Sequence, residues 1–280
     1  MNNFFKRTIT GIFIVIFCIG GFWLHPISFF ISGAIILIGS LYEYYTLIKT
    51  GVKPQSIIGM TMSVLAYIIS TLVASGALAA KYFLILILFL PAAMIIELYR
   101  REEKPFDSLA HTFFPVFYIG LPFCLFPFAA FSHNGLSSLL PYSYGTFSPG
   151  IILGFFILIW ANDTGAYLTG ITFGKHKLFE YISPKKTWEG FIGGMIFAAV
   201  AGWALSGWLG VVDSVHWVVI ALIVSIVGTY GDLIESMLKR SVGVKDSGSI
   251  MPGHGGFLDR FDSAIVAFPM IYLFILLFVH

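Results

Sequence analysis

Residues 149–169 read PGIILGFFILIWANDTGAYLT. The stretch has the length of a helix crossing a bilayer, which takes about 20 predominantly apolar residues. Its apolar run is broken by Asn162, Asp163 and Thr164, mid-way to two-thirds along. An ionisable residue inside a span costs roughly 2.5–3.5 kcal/mol at the helix centre, so something must offset Asp163. One reading is a helix-packing polar cluster with Asp163 neutralised. The preferred one is a polar cavity reached from the cytoplasmic side.

The flanking sequence is of the same kind. Of 280 residues, 58% are apolar and 11% charged, and the mean hydropathy is +0.91. A soluble domain carries roughly 25% charged residues. The composition excludes a soluble globular domain, a disordered tail, a coiled coil and a nucleic-acid binder as overall descriptions. Cys18 and Cys124 both lie in apolar runs and imply neither a disulfide nor a zinc site. The start, MNNFFKRTITGIFIVIFCIGGF, has the look of a signal peptide, but no small-residue cleavage site follows. It is read as a retained span over about 8–24. Further spans are expected at about 27–48, 57–79, 82–99, 108–130, 188–210, 214–236 and 261–279. His25-Pro26 separates the first two. Pro115, Pro122 and Pro127 predict a kink or early end in the fifth.

With the N-terminus in the cytoplasm, every Lys and Arg except Lys81 falls on the cytoplasmic side. That bias is the positive-inside rule. The fold expected is an all-α integral membrane protein of about nine transmembrane helices. Its N-terminus is cytoplasmic, its C-terminus is on the outer side, and it is multi-pass in the inner (cytoplasmic) membrane. Residues 1–150 read as helical scaffold. Residues 151–280 carry the chemistry, with cytoplasmic loops at 170–187 and 237–260.

Polar groups gather in that second half. In Ser183-Pro184-Lys185-Lys186-Thr187-Trp188-Glu189-Gly190, Pro184 suits the first turn of a helix and Ser183 its cap. Lys185 and Lys186 would then stand beside open backbone N–H groups, which makes a phosphate site. Thr187 can add a hydroxyl, and Glu189 must find a cation or a metal. The competing reading is ordinary basic residues near a membrane surface.

Asp232, Glu235 and Lys239 are spaced i, i+3, i+7 and share a helix face. Gly228 and Gly231 let another helix approach. Lys245-Asp246 follows, then the run Pro252-Gly253-His254-Gly255-Gly256, then Asp259 and Asp262 at i, i+3. Carboxylates crowded this way repel unless a cation sits among them, and hard oxygen donors suit Mg²⁺. Acids of two neighbouring helices, above all Asp232 and Asp259, are expected to meet around a divalent ion. Glu235, Asp246 and Asp262 are further candidate ligands. His254 is open to three readings: an orienting donor to phosphate, a general acid, or a structural residue.

The run Ser236-Met-Leu-Lys239-Arg240-(four residues)-Lys245-Asp246, His254-Gly255-Gly256, Asp259-Arg260-Phe-Asp262-Ser263 resembles the signature of phosphatidate cytidylyltransferases, also called CDP-diacylglycerol synthases. The segments around Asn162-Asp163-Thr164 and Ser183 to Thr187 also look like that family. The resemblance implies CTP and phosphatidate as substrates and CDP-diacylglycerol and pyrophosphate as products. It implies Mg²⁺ dependence, with room for a second, monovalent ion such as K⁺. By motif, Asp232 and Asp259 would be metal ligands. Lys239, Arg240, Lys245 and Arg260 would be phosphate partners, with Asp232, Asp259, Lys239 and Arg260 the catalytic set. Asn162, Asp163, Ser183, Lys185, Lys186, Thr187, Glu189 and His254 would bind substrate. A homodimer is an expectation by analogy alone.

The chemistry of such a reaction fits the residues. The nucleophile is a phosphate monoester, already mostly dianionic at neutral pH because its second pKa is about 6. It needs charge relief and in-line placement rather than a strong base. A nucleophilic triad is accordingly not expected, and direct displacement without a covalent intermediate is. Two alternatives belong to neighbouring classes. One is CTP-dependent activation or phosphorylation of another membrane lipid, of isoprenoid type. The other is an ion-coupled transporter using Asp163, Asp232 and Asp259 as a path.

Overall fold

The structure, a computed structural model, describes residues 3–48, 51–132, 146–248 and 255–279. Among the described residues the chain is all-α apart from two short hairpins. Eight helical stretches, from Pro26–Ile48 to Leu258–Phe278, are long and apolar enough to cross a membrane. A further 21-residue helix, α1 (Asn3–Trp23), precedes them. The architecture is thus that of a multi-span membrane protein. Its described residues fall into two compact units, one from 3–48, 51–132, 146–147, 246–248 and 255–260, the other from 148–245 and 261–279.

In the first unit α1 gives way to α2 (Pro26–Ile48) at the expected break. Pro26 opens the helix, where its missing N–H costs nothing, and the His25 ring nitrogen Nδ1 accepts from the Ile27 N–H at 3.1 Å. After α3 (Ser56–Ala74), the span expected at 82–99 begins as a 3₁₀ run, Ala80–Leu88, and relaxes into α4 (Phe89–Arg100). Pro91 lies at this junction and has no N–H to return to the Ile87 carbonyl. The proline-rich fifth span is one continuous stretch, Pro105–Ala130. Its two α-helices, α5 (Pro105–Pro115) and α6 (Leu121–Ala130), are joined by a π turn, Val116–Gly120. The Leu121 N–H reaches back five residues to the Val116 carbonyl. Pro122, next in line, has no N–H for the Tyr118 carbonyl, and the widened turn is the local solution. Strand β1 (Phe131–Ser132) pairs antiparallel with β2 (Thr146–Phe147).

One buried carboxylate among these helices is held by polar partners through one of its oxygens. The buried Glu97 accepts from Gln55 Nε2 at 2.5 Å and from an Arg100 guanidinium nitrogen at 2.8 Å. Arg100 also donates to the Lys53 carbonyl at 2.8 Å, which ties the entry to α3 to the end of α4.

The second unit is built from α7 (Gly150–Phe173), α8 (Trp188–Leu209), α9 (Ser214–Ser241) and the greater part of α10 (Leu258–Phe278). Phe155 stacks edge-on against Phe268 at 5.1 Å. Two glycines set how closely the helices approach. A Cβ on Gly194 of α8 would stand 2.7 Å from Asn162 Oδ1, and one on Gly231 of α9 would stand 2.8 Å from the Asp262 carbonyl oxygen. Asp213 caps α9, accepting from the His216 N–H at 2.9 Å.

Two expectations are corrected here. Ser183, Pro184, Lys185 and Lys186 do not open a helix. They form strand β4 (Ser183–Thr187), which pairs antiparallel with β3 (Lys177–Phe179). The fixed φ of Pro184 fits an edge strand as well as a helix start. The helix begins at Trp188, with Thr187 as its cap, Oγ1 accepting from the Gly190 N–H at 3.2 Å. The second correction concerns the loop expected from 237. Helix α9 runs on to Ser241, so the loop begins later, and Lys239 stands on helix as its spacing from Asp232 and Glu235 predicted.

Candidate active site

The second unit holds a cavity of about 590 Å³. Six residues singled out in the sequence line it: Asn162 and Asp163 from α7, Lys185, Lys186 and Thr187 from β4, and Asp232 from α9. Lys177 of β3 adds a third lysine, and Tyr167, Ile171 and Phe191 give the wall an apolar share. The hairpin places its lysines by its register, in which Lys177 faces Thr187 and Phe179 faces Ser183. The Trp188 N–H closes it on the His176 carbonyl at 2.9 Å.

At the centre Lys186 Nζ lies 2.8 Å from Asp232 Oδ2 and donates to the Thr229 carbonyl at 3.4 Å. Both partners of the ion pair are only partly buried. Asp262 is buried on α10, and the charges acting on it are those of Asp232, Lys186 and Asp163. Asp232 is the carboxylate in direct contact with the Lys186 ammonium. Asn162 Nδ2 reaches Asp163 Oδ1 at 3.5 Å, at the edge of hydrogen-bond range.

Other sequence candidates are placed differently. Glu189 takes its partners from the start of the hairpin. It accepts from the Lys175 and His176 N–H groups at 3.1 and 3.2 Å and meets His176 Nδ1 at 2.6 Å, and so latches the start of the hairpin to α8. Glu235 is buried and paired with Lys239 at 2.5 Å, one turn along the same helix. Arg240 donates to the Val244 carbonyl at 3.0 Å and closes the end of α9. Lys245, Asp246 and Arg260 are exposed. Asp259 belongs to the first unit, where its Oδ2 accepts from the Ser247 and Gly256 N–H groups at 3.0 and 2.9 Å. His254 lies outside the described residues.

Among the described residues no three His, Cys, Asp or Glu side chains form a ready-made cation cage. Mg²⁺ seldom uses one. It is commonly held by one or two carboxylates, its own waters and substrate phosphates. Asp232 and Asp262, with Asp163 near, supply hard oxygen donors of that kind, and the donor set fits an ion that arrives with a phosphorylated substrate.

Fold and cavity define a polytopic membrane protein with an ion-paired polar site at one end of its second helical unit. The chain belongs to the cytidylyltransferase family, whose family model matches residues 5–278. It is 41% identical over 180 residues to a phosphatidate cytidylyltransferase of Staphylococcus aureus (strain COL), covering 63% of this chain and 62% of that protein. A phosphatidate cytidylyltransferase of Staphylococcus haemolyticus (strain JCSC1435) is 45% identical over 145 residues, covering 48% and 53%. The matched stretches thus span less than two thirds of these relatives' own length.

Proposed function

We propose that this chain joins CTP to phosphatidate, giving CDP-diacylglycerol and pyrophosphate, at the cytoplasmic face of the inner membrane. A phosphate oxygen of the lipid attacks the α-phosphorus of CTP. The new P–O–P bond forms as the bond to the β-phosphate bridging oxygen breaks, and pyrophosphate leaves with that electron pair. No enzyme group takes the cytidylyl group on the way.

The observation that carries the reading is the Lys186–Asp232 pair set in a cavity with Lys185, Asn162 and Asp163. An anion attacking another anion needs cations along the phosphates and fixed geometry more than it needs a base. Lys185 and Lys186 supply charge to the triphosphate. Asn162 offers a neutral donor, and Thr187 holds the hairpin on α8 so that both lysines stay in place. Asp232 and Asp262, with Asp163, would hold Mg²⁺, which when bound draws charge from the phosphoryl oxygens and eases departure of pyrophosphate. Asp259 and Arg260 enter by their place in the signature, as do Lys239, Arg240 and Lys245. The apolar wall of Tyr167, Ile171 and Phe191 suits the glycerol end of a lipid whose tails stay in the bilayer.

The test is turnover by purified protein given CTP, Mg²⁺ and phosphatidate, with UTP, dCTP and an isoprenoid phosphate as comparisons. CDP-diacylglycerol formed from phosphatidate supports the reading. Product only from the isoprenoid acceptor, or ion flux in liposomes without nucleotide turnover, would replace it. A radiolabelled nucleotidyl-enzyme trapped after rapid quench would refute direct displacement.

A further inference from the structure

Glu43 sits in α2, in the half of the chain that reads as plain scaffold, and it is buried. A carboxylate in a transmembrane helix needs compensation. Here it comes from one short segment more than 200 residues away in sequence. Glu43 Oε2 accepts from the Ser247 hydroxyl and from the Leu258 N–H, and Oε1 accepts from the Phe257 N–H, each at 2.9 Å. The two amides belong to the opening of α10, where backbone N–H groups have no partner inside the helix and the dipole favours a negative charge. A helix usually takes its cap from its own preceding residues. This one takes it from another span.

The surroundings are cut to fit. A Cβ on Gly248 would meet the Glu43 carboxyl at 2.8 Å, and one on Gly256 would overlap it. Four residues before Glu43 on α2, a Cβ on Gly39 would stand 2.5 Å from the Phe257 ring. The same segment also holds Asp259. Its Oδ2 accepts from the N–H of Ser247, whose hydroxyl is on Glu43, and from the N–H of Gly256, the residue before Phe257. Ser247 is therefore gripped twice, and the two carboxylates share one stretch of backbone.

We infer that Glu43 is a positioning residue for turnover: it fixes the backbone of residues 247 and 256–258, and through it the orientation of Asp259 and Arg260. Glu43 touches no substrate in this account, which rests on the cytidylyl-transfer reading. Glu43→Gln keeps the size of the side chain but sets an amide N–H against donors. Glu97→Gln serves as the control, a buried acid of the same unit bonded to Gln55 and Arg100.

Both full-length variants and the wild type are assayed in detergent, below the unfolding temperature of each. We expect Glu43→Gln to lower kcat by about 10- to 100-fold, the usual cost of losing a residue that orients a ligating group, with KM for CTP unchanged. Amide exchange at Phe257 and Leu258 is expected to quicken at least tenfold in Glu43→Gln. Glu97→Gln should keep both kcat and that exchange rate while unfolding at lower temperature. A folded Glu43→Gln with kcat within twofold of wild type, unchanged exchange at those amides, or an equal kcat loss in Glu97→Gln would overturn the inference. Absence of turnover in the wild type would sink the cytidylyl-transfer reading instead, and the exchange rates would still decide whether Glu43 holds the segment.

Discussion

Lys186 Nζ and Asp232 Oδ2 stand 2.8 Å apart, so a two-stranded hairpin is moored by an ion pair to the last third of helix α9. The pair is partly exposed, and its value as a stabilising contact is small. Its consequence is for charge placement in the cavity. Lys186→Ala is expected to raise KM for CTP by about tenfold, about 1.4 kcal/mol of lost phosphate binding. Lys185→Ala should do less, since Lys185 has no fixed acidic partner among the contacts described. Steady-state kinetics on the two variants check the ranking, and equal effects would remove the special place of Lys186.

The carboxylates should separate by their dependence on metal. Asp232→Asn and Asp262→Asn are expected to cut kcat by about 100-fold or more, as removal of a group organising developing charge does. Both should move the Mg²⁺ activation curve to higher concentration. Asp259→Asn should abolish turnover even in excess Mg²⁺ while the protein stays folded in detergent. Mg²⁺ titrations of activity beside a thermal melt decide, and an unshifted titration for Asp232→Asn would take that residue out of the metal site.

Thr187 carries two duties, ending β4 and capping α8. Thr187→Ala should lose about 1 kcal/mol of stability, the usual cost of a missing N-cap. Thr187→Ser keeps the oxygen and should stay near wild type. Thermal unfolding in detergent is the measurement, and equal losses for Ala and Ser would mean that the methyl group matters rather than the cap.

Gly194 and Gly207 lie on the same helix in opposite circumstances. A Cβ on Gly194 would press on Asn162, whereas one on Gly207 meets nothing within 4 Å. Gly194→Ala is expected to cost about 1–3 kcal/mol through overpacking. Gly207→Ala should gain about 0.5–1 kcal/mol from helix propensity. Paired melts suffice, and a neutral Gly194→Ala would show that α7 and α8 can part cheaply.

Asp213, between α8 and α9, lends itself to a pH test. The His216 N–H and then the His216 ring hold its carboxyl below the ordinary aspartate range. Such a depressed group stabilises fully above its unfolded value, about 3.9, and loses that contribution as pH falls through the native value. The melting-point gap between wild type and Asp213→Ala should therefore be present above the ordinary aspartate value of about 3.9 and shrink as pH falls below it. A gap that does not shrink under acid conditions would contradict the assignment.

Most of the helical frame was legible because apolar length and proline position are local properties. The break at His25-Pro26 and the irregular fifth span both came from residues that cannot donate a hydrogen bond. Strand β4 was not legible. Ser183-Pro184 is a good local helix start, and only pairing with Lys177–Phe179 decides for a strand. Asn162, Asp163 and Asp232 were found by asking what offsets acids in an apolar chain, whereas Lys185, Lys186 and Thr187 came from a phosphate site placed at a helix start that is a strand instead. The same question put to Glu43 and Glu97 would have singled them out, but the partners of Glu43 and the Gln55 that meets Glu97 are distant in sequence, and an isolated acid carries no motif. Glu189 was expected to need a cation or a metal, and backbone amides with a histidine satisfied it.

The hairpin's register has a bearing on how such a chain can vary. The ladder already shifts register between Lys177, which faces Thr187, and Phe179, which faces Ser183, so the placing of Lys186 on Asp232 depends on the number of residues between Ser183 and Trp188. At the bend the constraint lapses: Tyr181 is 96% exposed. Changes of length, and any tag or fluorophore an experimenter wishes to attach, belong at residues 180–182, where they leave the charge pairing in register.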